Sequence, residues 1–506
     1  MAEGAAMEER PGEPVGPPPG PPLDLPLDPS PEERVDEPWE DGEQPFRVLH
    51  VSQPNAGGVA VYVAQAAGDQ RRRGWKVAVA CPPGGDLPER CSAAGVPWFP
   101  WPAERAPGPR TVLESRRLRR LVRSFAPDVV HLHSAKAGLA GRLGRRPRGV
   151  PTVFQPHGWS WLAATGRQRL VSRCWERLAA RWTDALVCVG DGELREGVRA
   201  GVQGPYRLVR NGVDLRRFEP ADADDRVTAR ARLRLPAGVP LAVCIGRATR
   251  QKGQDVLLTA WPQVVERCPP ARLAIVGDGE DTAALKRRQA PGVLFVPAVD
   301  DPRTWLAAAD VVVLPSRWEG LPLTALEALA TGRPVVGTDI PGIAEVVRPG
   351  TGALVPAEDP AALAAEVAAR LLRPALAERE GREAAAASAD YDLERTLELL
   401  AEVTREAAGP ADEPEAARTG ARTVAGGRLG DGFAGRVGEG EASCVVAGAG
   451  AGAADGVASG AEDGADEGAD GADEGADGVE SGSGVSGAAG YFGVGDGAVT
   501  PPNSAR

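Results

Sequence analysis

Glu319 and Glu327 stand with seven residues between them in Ser316-Arg-Trp-Glu319-Gly320-Leu321-Pro322-Leu-Thr-Ala-Leu-Glu327-Ala-Leu-Ala-Thr-Gly332-Arg-Pro334. An uninterrupted β-branched run, Asp310-Val-Val-Val-Leu314, precedes them and reads as a strand buried on both faces. Pro322 suits a first helical turn, and Leu323–Leu329 continue as helix. Glu319 then lies on a strand-to-helix loop, with Glu327 roughly 12 Å further along at about 1.5 Å rise per residue. That reach fits a ligand with a diphosphate in its middle and hydroxylated groups at both ends. The helix N-terminus between the two acids is a natural phosphate binder.

Other segments add cations and close-approach turns. Gly246-Arg247-Ala-Thr-Arg-Gln-Lys252-Gly253 follows a strand, so a guanidinium and an ammonium flank one loop. The first binds a diphosphate in bidentate fashion, and the second acts as a compact point charge. Gly57-Gly58 follows the first strand, where missing Cβ atoms let backbone N–H groups approach a phosphate or sugar. Taken alone, such a turn is structural, and Gly-x-Gly-x-x-Gly is absent. Pro156-His157-Gly158 ends a strand and presents a histidine to a cleft. His131 and His133 share one face of a strand. With no third ligand apparent, they read as sheet-face or acceptor-side residues, and no metal site is expected. Asp222-Ala-Asp224 has metal-pair spacing but lies away from the other motifs.

These residues resemble the signature of the retaining glycosyltransferases of family 4, over about Arg47 to Ala408. The resemblance implies the two-domain GT-B fold and a nucleoside-diphosphate sugar as donor. It assigns contact with the transferred sugar to Glu319 and His157, and the nucleotide ribose to Glu327. Arg247 and Lys252 would neutralise the departing diphosphate, while Gly57, Gly58, Gly320 and Leu321 would line the donor site. A front-face mechanism is implied, in which the leaving phosphate takes the acceptor proton. Asn211-Gly-Val-Asp214 resembles the family's hinge element, with Arg210 where the family usually has proline.

The elements that must hold these residues alternate strand and helix, which argues for α/β architecture with open parallel sheets. The expected organisation is a Pro-rich acidic tail (1–45), an acceptor-side Rossmann-like domain (46–214), a linker (215–240), a nucleotide-sugar-binding Rossmann-like domain (241–390), a closing helix (391–408) and a Gly/Ala/acidic tail (409–506). In such sheets ligands bind beyond the carboxyl ends of the strands, so two facing sheets make a cleft. Both tails bury too little apolar surface to order and are expected to be disordered.

The net charge of −12 is unevenly spread: −11 on 1–45, +11 on 46–408 and −12 on 409–506. A basic body suits an anionic ligand, acceptor or membrane surface. Five arginines, Arg116, Arg117, Arg119, Arg120 and Arg123, share a helical segment with Leu118, Leu121, Val122 and Phe125, and Arg145, Arg146 and Arg148 follow. That segment reads as a sheet-covering helix whose arginines remain available to lipid headgroups. Seven scattered cysteines without a Cys-x-x-Cys pair fit a reducing compartment. With no apolar leader and no membrane-length run, the expected location is cytoplasmic, peripheral at the membrane's inner face.

The sequence thus points to sugar transfer from a nucleotide sugar to a hydroxyl acceptor, without cofactor or nucleic acid. His131-Leu-His133-Ser-Ala-Lys136-Ala-Gly138 with Pro156-His-Gly-Trp159 looks like members that extend lipid-linked saccharides. Inositol phosphate or phosphatidylinositol is the alternative acceptor. Other readings are an inverting transferase or an epimerase on the same fold, and a non-catalytic sugar-nucleotide-binding scaffold.

Overall fold

The computed structural model describes residues 45–143, 149–288 and 290–409. The expectations for both tails, and for Arg145, Arg146 and Arg148, lie outside the described residues. Among the described residues, thirteen strands form two sheets. The first contains β1 (Arg47–Ser52), β2 (Lys76–Cys81), β3 (Trp98–Pro100), β4 (Val129–His133), β5 (Thr152–Gln155), β6 (Ala185–Cys188) and β7 (Tyr206–Leu208). The second contains β8 (Leu241–Ile245), β9 (Arg272–Val276), β10 (Val293–Val296), β11 (Val311–Leu314), β12 (Val335–Thr338) and β13 (Gly352–Val355). Their orders are β3-β2-β1-β4-β5-β6-β7 and β10-β9-β8-β11-β12-β13, with every pair parallel.

Both orders reverse between their first and fourth strands, at β1/β4 and at β8/β11. A reversal sends neighbouring connections to opposite faces and opens a crevice at the strand ends. Gly57-Gly58 follows β1, Gly246–Lys252 follows β8, and Ser316–Gly320 follows β11, so three of the motifs sit at the two switch points. The central strands are buried on both faces, as their β-branched runs require.

β3, β7 and β13 escape the sequence reading. Each closes a sheet edge, is only three or four residues long, and is partly exposed, so it lacks a continuous apolar run. The stretch read as linker is not a bare connection. It contains the helix Ala223–Arg232, whose buried Arg230 bonds Asp310 Oδ2 at 2.7 Å and the Ala308 carbonyl at 2.9 Å. Asp222 caps that helix, accepting from the Asp224 and Asp225 nitrogens, and the Asp225 carboxylate accepts in return from Asp222 N.

The helix Thr111–Phe125 turns Leu118, Val122 and Phe125 into the first domain's core and leaves Arg116, Arg117, Arg120 and Arg123 exposed. Arg119 instead bonds the Leu143 carbonyl at 2.8 Å. The last described helix, Leu393–Ala408, follows the second domain in sequence but packs on the first. Leu393, Leu397, Leu400 and Val403 join Val129, Val153, Ala185 and Val187 in one apolar cluster. Among the described residues, no helix is long and apolar enough to cross a membrane.

Candidate active site between the two sheets

β11 ends at Leu314, Pro315-Ser316 follow, and the chain turns before the helix Leu323–Ala330 begins. Glu319 on that turn is drawn to a neighbouring loop: Lys252 Nζ lies 2.6 Å from its Oε1, and Ser316 Oγ donates to the same oxygen at 2.7 Å. Gln251 Nε2 donates to Oε2 at 3.3 Å. Lys252 thus reaches Glu319 through the loop after β8. Gly253 allows the close return, since its φ of 66° is left-handed and a Cβ there would collide with the Pro315 carbonyl.

Arg247 faces the first domain. A Cβ on Gly57 would stand 3.6 Å from Arg247 Cδ, and one on Gly58 would stand 3.7 Å from Leu323 Cδ1. The glycine turn after β1 therefore lies against the cation loop and helix start of the second domain. Burial, together with the like charge of Arg105, depresses the Arg247 guanidinium from its ordinary value. Glu280 and Glu319 offset this only in part, and two mutually repelling cations favour an anionic ligand. Arg105 was missed by the sequence reading, because an isolated arginine in a Pro/Gly loop carries no motif.

Gly320 lies at a close approach of the domains: a Cβ there would be 3.0 Å from Val189 Cγ2 and 3.3 Å from the Gly158 nitrogen. Leu321 is buried, and its carbonyl accepts from Asn211 Nδ2 at 2.6 Å, tying the hinge element to the Glu319 loop. Glu327 lies about one turn into the helix Leu323–Ala330. Burial pushes its carboxyl up to about 7, while Arg217 pulls the other way.

His157 is half-buried with a φ of 52°, followed by Gly158 at 101°. This tight turn is held by Glu193, also missed by the sequence reading. Its carboxylate accepts from Gly158 N at 2.5 Å and from Val189 N at 2.7 Å, and burial raises it to about 7. His131 and His133 do have a third partner. His50 on β1 lies opposite His131, and ligand atoms of the three fall within 4.8 Å of one another. The two-residue spacing within β4 could not reveal this, because His50 is 81 positions earlier. Among the described residues this is the one histidine-, cysteine- or acid-rich group with such geometry.

Two family profiles match the halves separately: Glycosyltransferase Family 4 over residues 56–217, and Glycosyl transferases group 1 over residues 239–373. A D-inositol 3-phosphate glycosyltransferase of Saccharomonospora viridis is 32% identical over 395 residues, covering 70% of this chain and 90% of that protein. The chain belongs to glycosyltransferase family 4. An Escherichia coli UDP-Gal:alpha-D-GlcNAc-diphosphoundecaprenol alpha-1,3-galactosyltransferase is 32% identical over 241 residues, 44% of this chain and 61% of that protein, less than two thirds of its length. Among solved structures, Anabaena HepE in complex with UDP-glucose superposes with a TM-score of 0.63 at 20% identity, covering 71% of this chain and 100% of that one. That likeness shows the GT-B fold of this family 4 glycosyltransferase: two parallel-sheet domains with a cleft between them.

Proposed function

We propose that the protein transfers a sugar, with retention of anomeric configuration, from a nucleoside-diphosphate sugar to a hydroxyl of a lipid-linked saccharide. The observation that carries this reading is the convergence, between two switch points, of Arg247, Lys252 and Glu319 from one domain on Gly57-Gly58 of the other. Arg247 and Lys252 oppose the negative charge that develops as the diphosphate departs, and fixed charges in a water-poor cleft are most effective there. Glu319, already held by Lys252, Ser316 and Gln251, orients the sugar with the backbone of Gly320-Leu321. Glu327 accepts from the ribose hydroxyls. The departing phosphate takes the acceptor's proton, which requires no protein base. The two cations make a divalent ion dispensable, and assay in the presence of a chelator tests that part.

For the acceptor, the Escherichia coli relative supports a lipid diphosphate saccharide, and the basic face of the helix Thr111–Phe125 supports peripheral contact with the inner face of the cell membrane. The Saccharomonospora viridis relative, matched along nearly its full length, supports inositol phosphate as the alternative acceptor. A screen of UDP-, GDP- and ADP-sugars with each acceptor, read as nucleotide release and product anomer, tests all parts. Failure to turn over any donor, or an inverted product, overturns the reading.

A further inference from the structure

The chain has four histidines, and all of them meet beneath the Pro156–Gly158 turn. His50 and His133 are fully buried on β1 and β4, and Gln70 is buried beside them on the helix Gly58–Arg72. A hydrogen-bonded column links these side chains. His50 Nε2 is 2.8 Å from Gln70 Oε1, His50 Nδ1 is 2.9 Å from His133 Nε2, and His133 Nδ1 is 3.0 Å from His157 Nε2. His131 stands outside the column, stacked on His133 with ring centroids 4.0 Å apart, which restrains the His133 ring.

A neutral imidazole has one N–H and one lone pair, so such a column has a direction. Burial holds His50 down to about 4 and His157 to about 3, with His133 also well below its ordinary value, so these rings are neutral at pH 7. Gln70 presents an oxygen, which places the His50 proton on Nε2. His50 Nδ1 is then an acceptor and requires the His133 proton on Nε2. By the same step His157 carries its proton on Nε2, and its Nδ1 is left as a lone pair that no described residue bonds.

We propose that Gln70, His50 and His133 are positioning residues that lock His157 in the Nε2–H tautomer, so that it meets the substrate as an acceptor for a sugar hydroxyl. The proposal rests on the placement of His157 at the transferred sugar. It divides recognition by chemistry: Arg247 and Lys252 take the anionic diphosphate, and a neutral lone pair takes the polyol. A histidine free to protonate there would present a donor to phosphate as well, and so would blur the register of a ligand that carries both groups. Binding of a cation by His50, His131 and His133 is the competing use of the same lone pairs. It would break the His50–His133 bond, and none of the three ligands brings a neutralising charge.

The test is the nitrogen spectrum of the full chain labelled with 15N-histidine, in which His157→Gln assigns one of only four rings. The expected result from pH 6 to 8 is a neutral Nε2–H tautomer at His157, His133 and His50, with substoichiometric zinc after purification. In Gln70→Met and His133→Leu, the His157 tautomer should become mixed. Their kcat/KM for the donor should fall about tenfold, as for one lost hydrogen bond, while affinity for the free nucleoside diphosphate is unchanged. His133→Gln can accept from His157 and donate to His50, and should restore both readouts. A wild-type His157 protonated on Nδ1 or on both nitrogens overturns the proposal, and so does one zinc per chain retained against a chelator. The wild-type spectrum decides even if a variant fails to fold. It also needs no sugar transfer: the expected tautomer in a protein that turns over no donor would refute the functional reading while leaving the column intact.

Discussion

At the scale of single residues, the site is a set of charges whose partners are already in place. Lys252 and Glu319 form an ion pair at 2.6 Å in a largely buried setting, so removing one member leaves the other uncompensated. Lys252→Ala and Glu319→Ala should each lower kcat by about a hundredfold or more, as expected for contacts that strengthen in the transition state. Unchanged turnover in Glu319→Ala, measured by nucleotide release, would remove Glu319 from the site. Glu327 adds a pH dependence. Its carboxyl is raised to about 7 by burial, whereas the proposed acceptance of ribose hydroxyls would favour the ionised form. Donor affinity should therefore improve as pH rises through about 7, with proton release visible as a buffer-dependent heat in calorimetry, and Glu327→Gln should abolish that dependence. Glu193 shows the same shift in a structural role. Its folded value of about 7 lies above the ordinary 4.5, so the folded state holds the extra proton between those values. The stability it contributes is present below about 4.5 and is lost as pH rises through 7. Glu193→Gln should flatten this part of the melting-temperature profile.

At the scale of elements, two helices do work that their positions in the chain do not announce. Leu393–Ala408 seals the face of the first domain's sheet, with Leu400 fully enclosed among apolar residues of that sheet and of the helix Gly58–Arg72. Leu400→Ala should cost about 2–5 kcal/mol in chemical denaturation. A cost below about 1 kcal/mol would mean the helix is only loosely docked. The helix Thr111–Phe125 resolves its sequence ambiguity through burial: the apolar stripe serves the core, and four arginines remain outside. Each charge near an anionic surface contributes about 1 kcal/mol, screened by salt. Co-sedimentation with anionic liposomes should therefore occur at low salt, weaken at high salt and be lost when Arg116, Arg117, Arg120 and Arg123 are reversed to glutamate. Equal recovery in the supernatant with neutral and anionic vesicles would exclude the docking.

At the scale of the whole molecule, the site exists only where the two sheets meet. Arg210, standing where family members usually carry proline, spans that junction by pairing with Asp191 in the first domain and with Glu345 in the second, 2.6 Å from Nε. Arg210 is partly exposed, so the pairing contributes little stability on its own. The buried Asn211–Leu321 bond at 2.6 Å and the contact of Gly320 with Val189 and Gly158 hold the domains more firmly. Gly320→Ala would place a methyl 3.0 Å from Val189 Cγ2 and 3.3 Å from the Gly158 nitrogen. Each domain should still fold, with little change in melting temperature, while kcat/KM falls by about tenfold or more as the approach widens. Activity and melting temperature both like the wild type would show that this close approach is not required for turnover.

Much of this was legible in the chain itself, for a physical reason. Central parallel strands are buried on both faces, so β8, β11 and β12 appear as apolar β-branched runs, and the loops after them carry Arg247, Lys252 and Glu319 within a few residues of a strand end. Local rules were enough to expose such motifs. Edge strands β3, β7 and β13 lacked that signal because they are short and partly solvated. Arg105, Glu193 and Arg217 lacked it because their roles depend on groups distant in sequence or on burial. The clearest contrast is among the histidines. Strand alternation placed His131 and His133 on one face of β4, but only the parallel pairing of β1 with β4 set His50 opposite them. Only the return of the chain through β5 brought His157 to the end of the column. Spacing along one strand is a local property that sequence determines, whereas register between strands tens of residues apart is settled by the packing of the whole sheet.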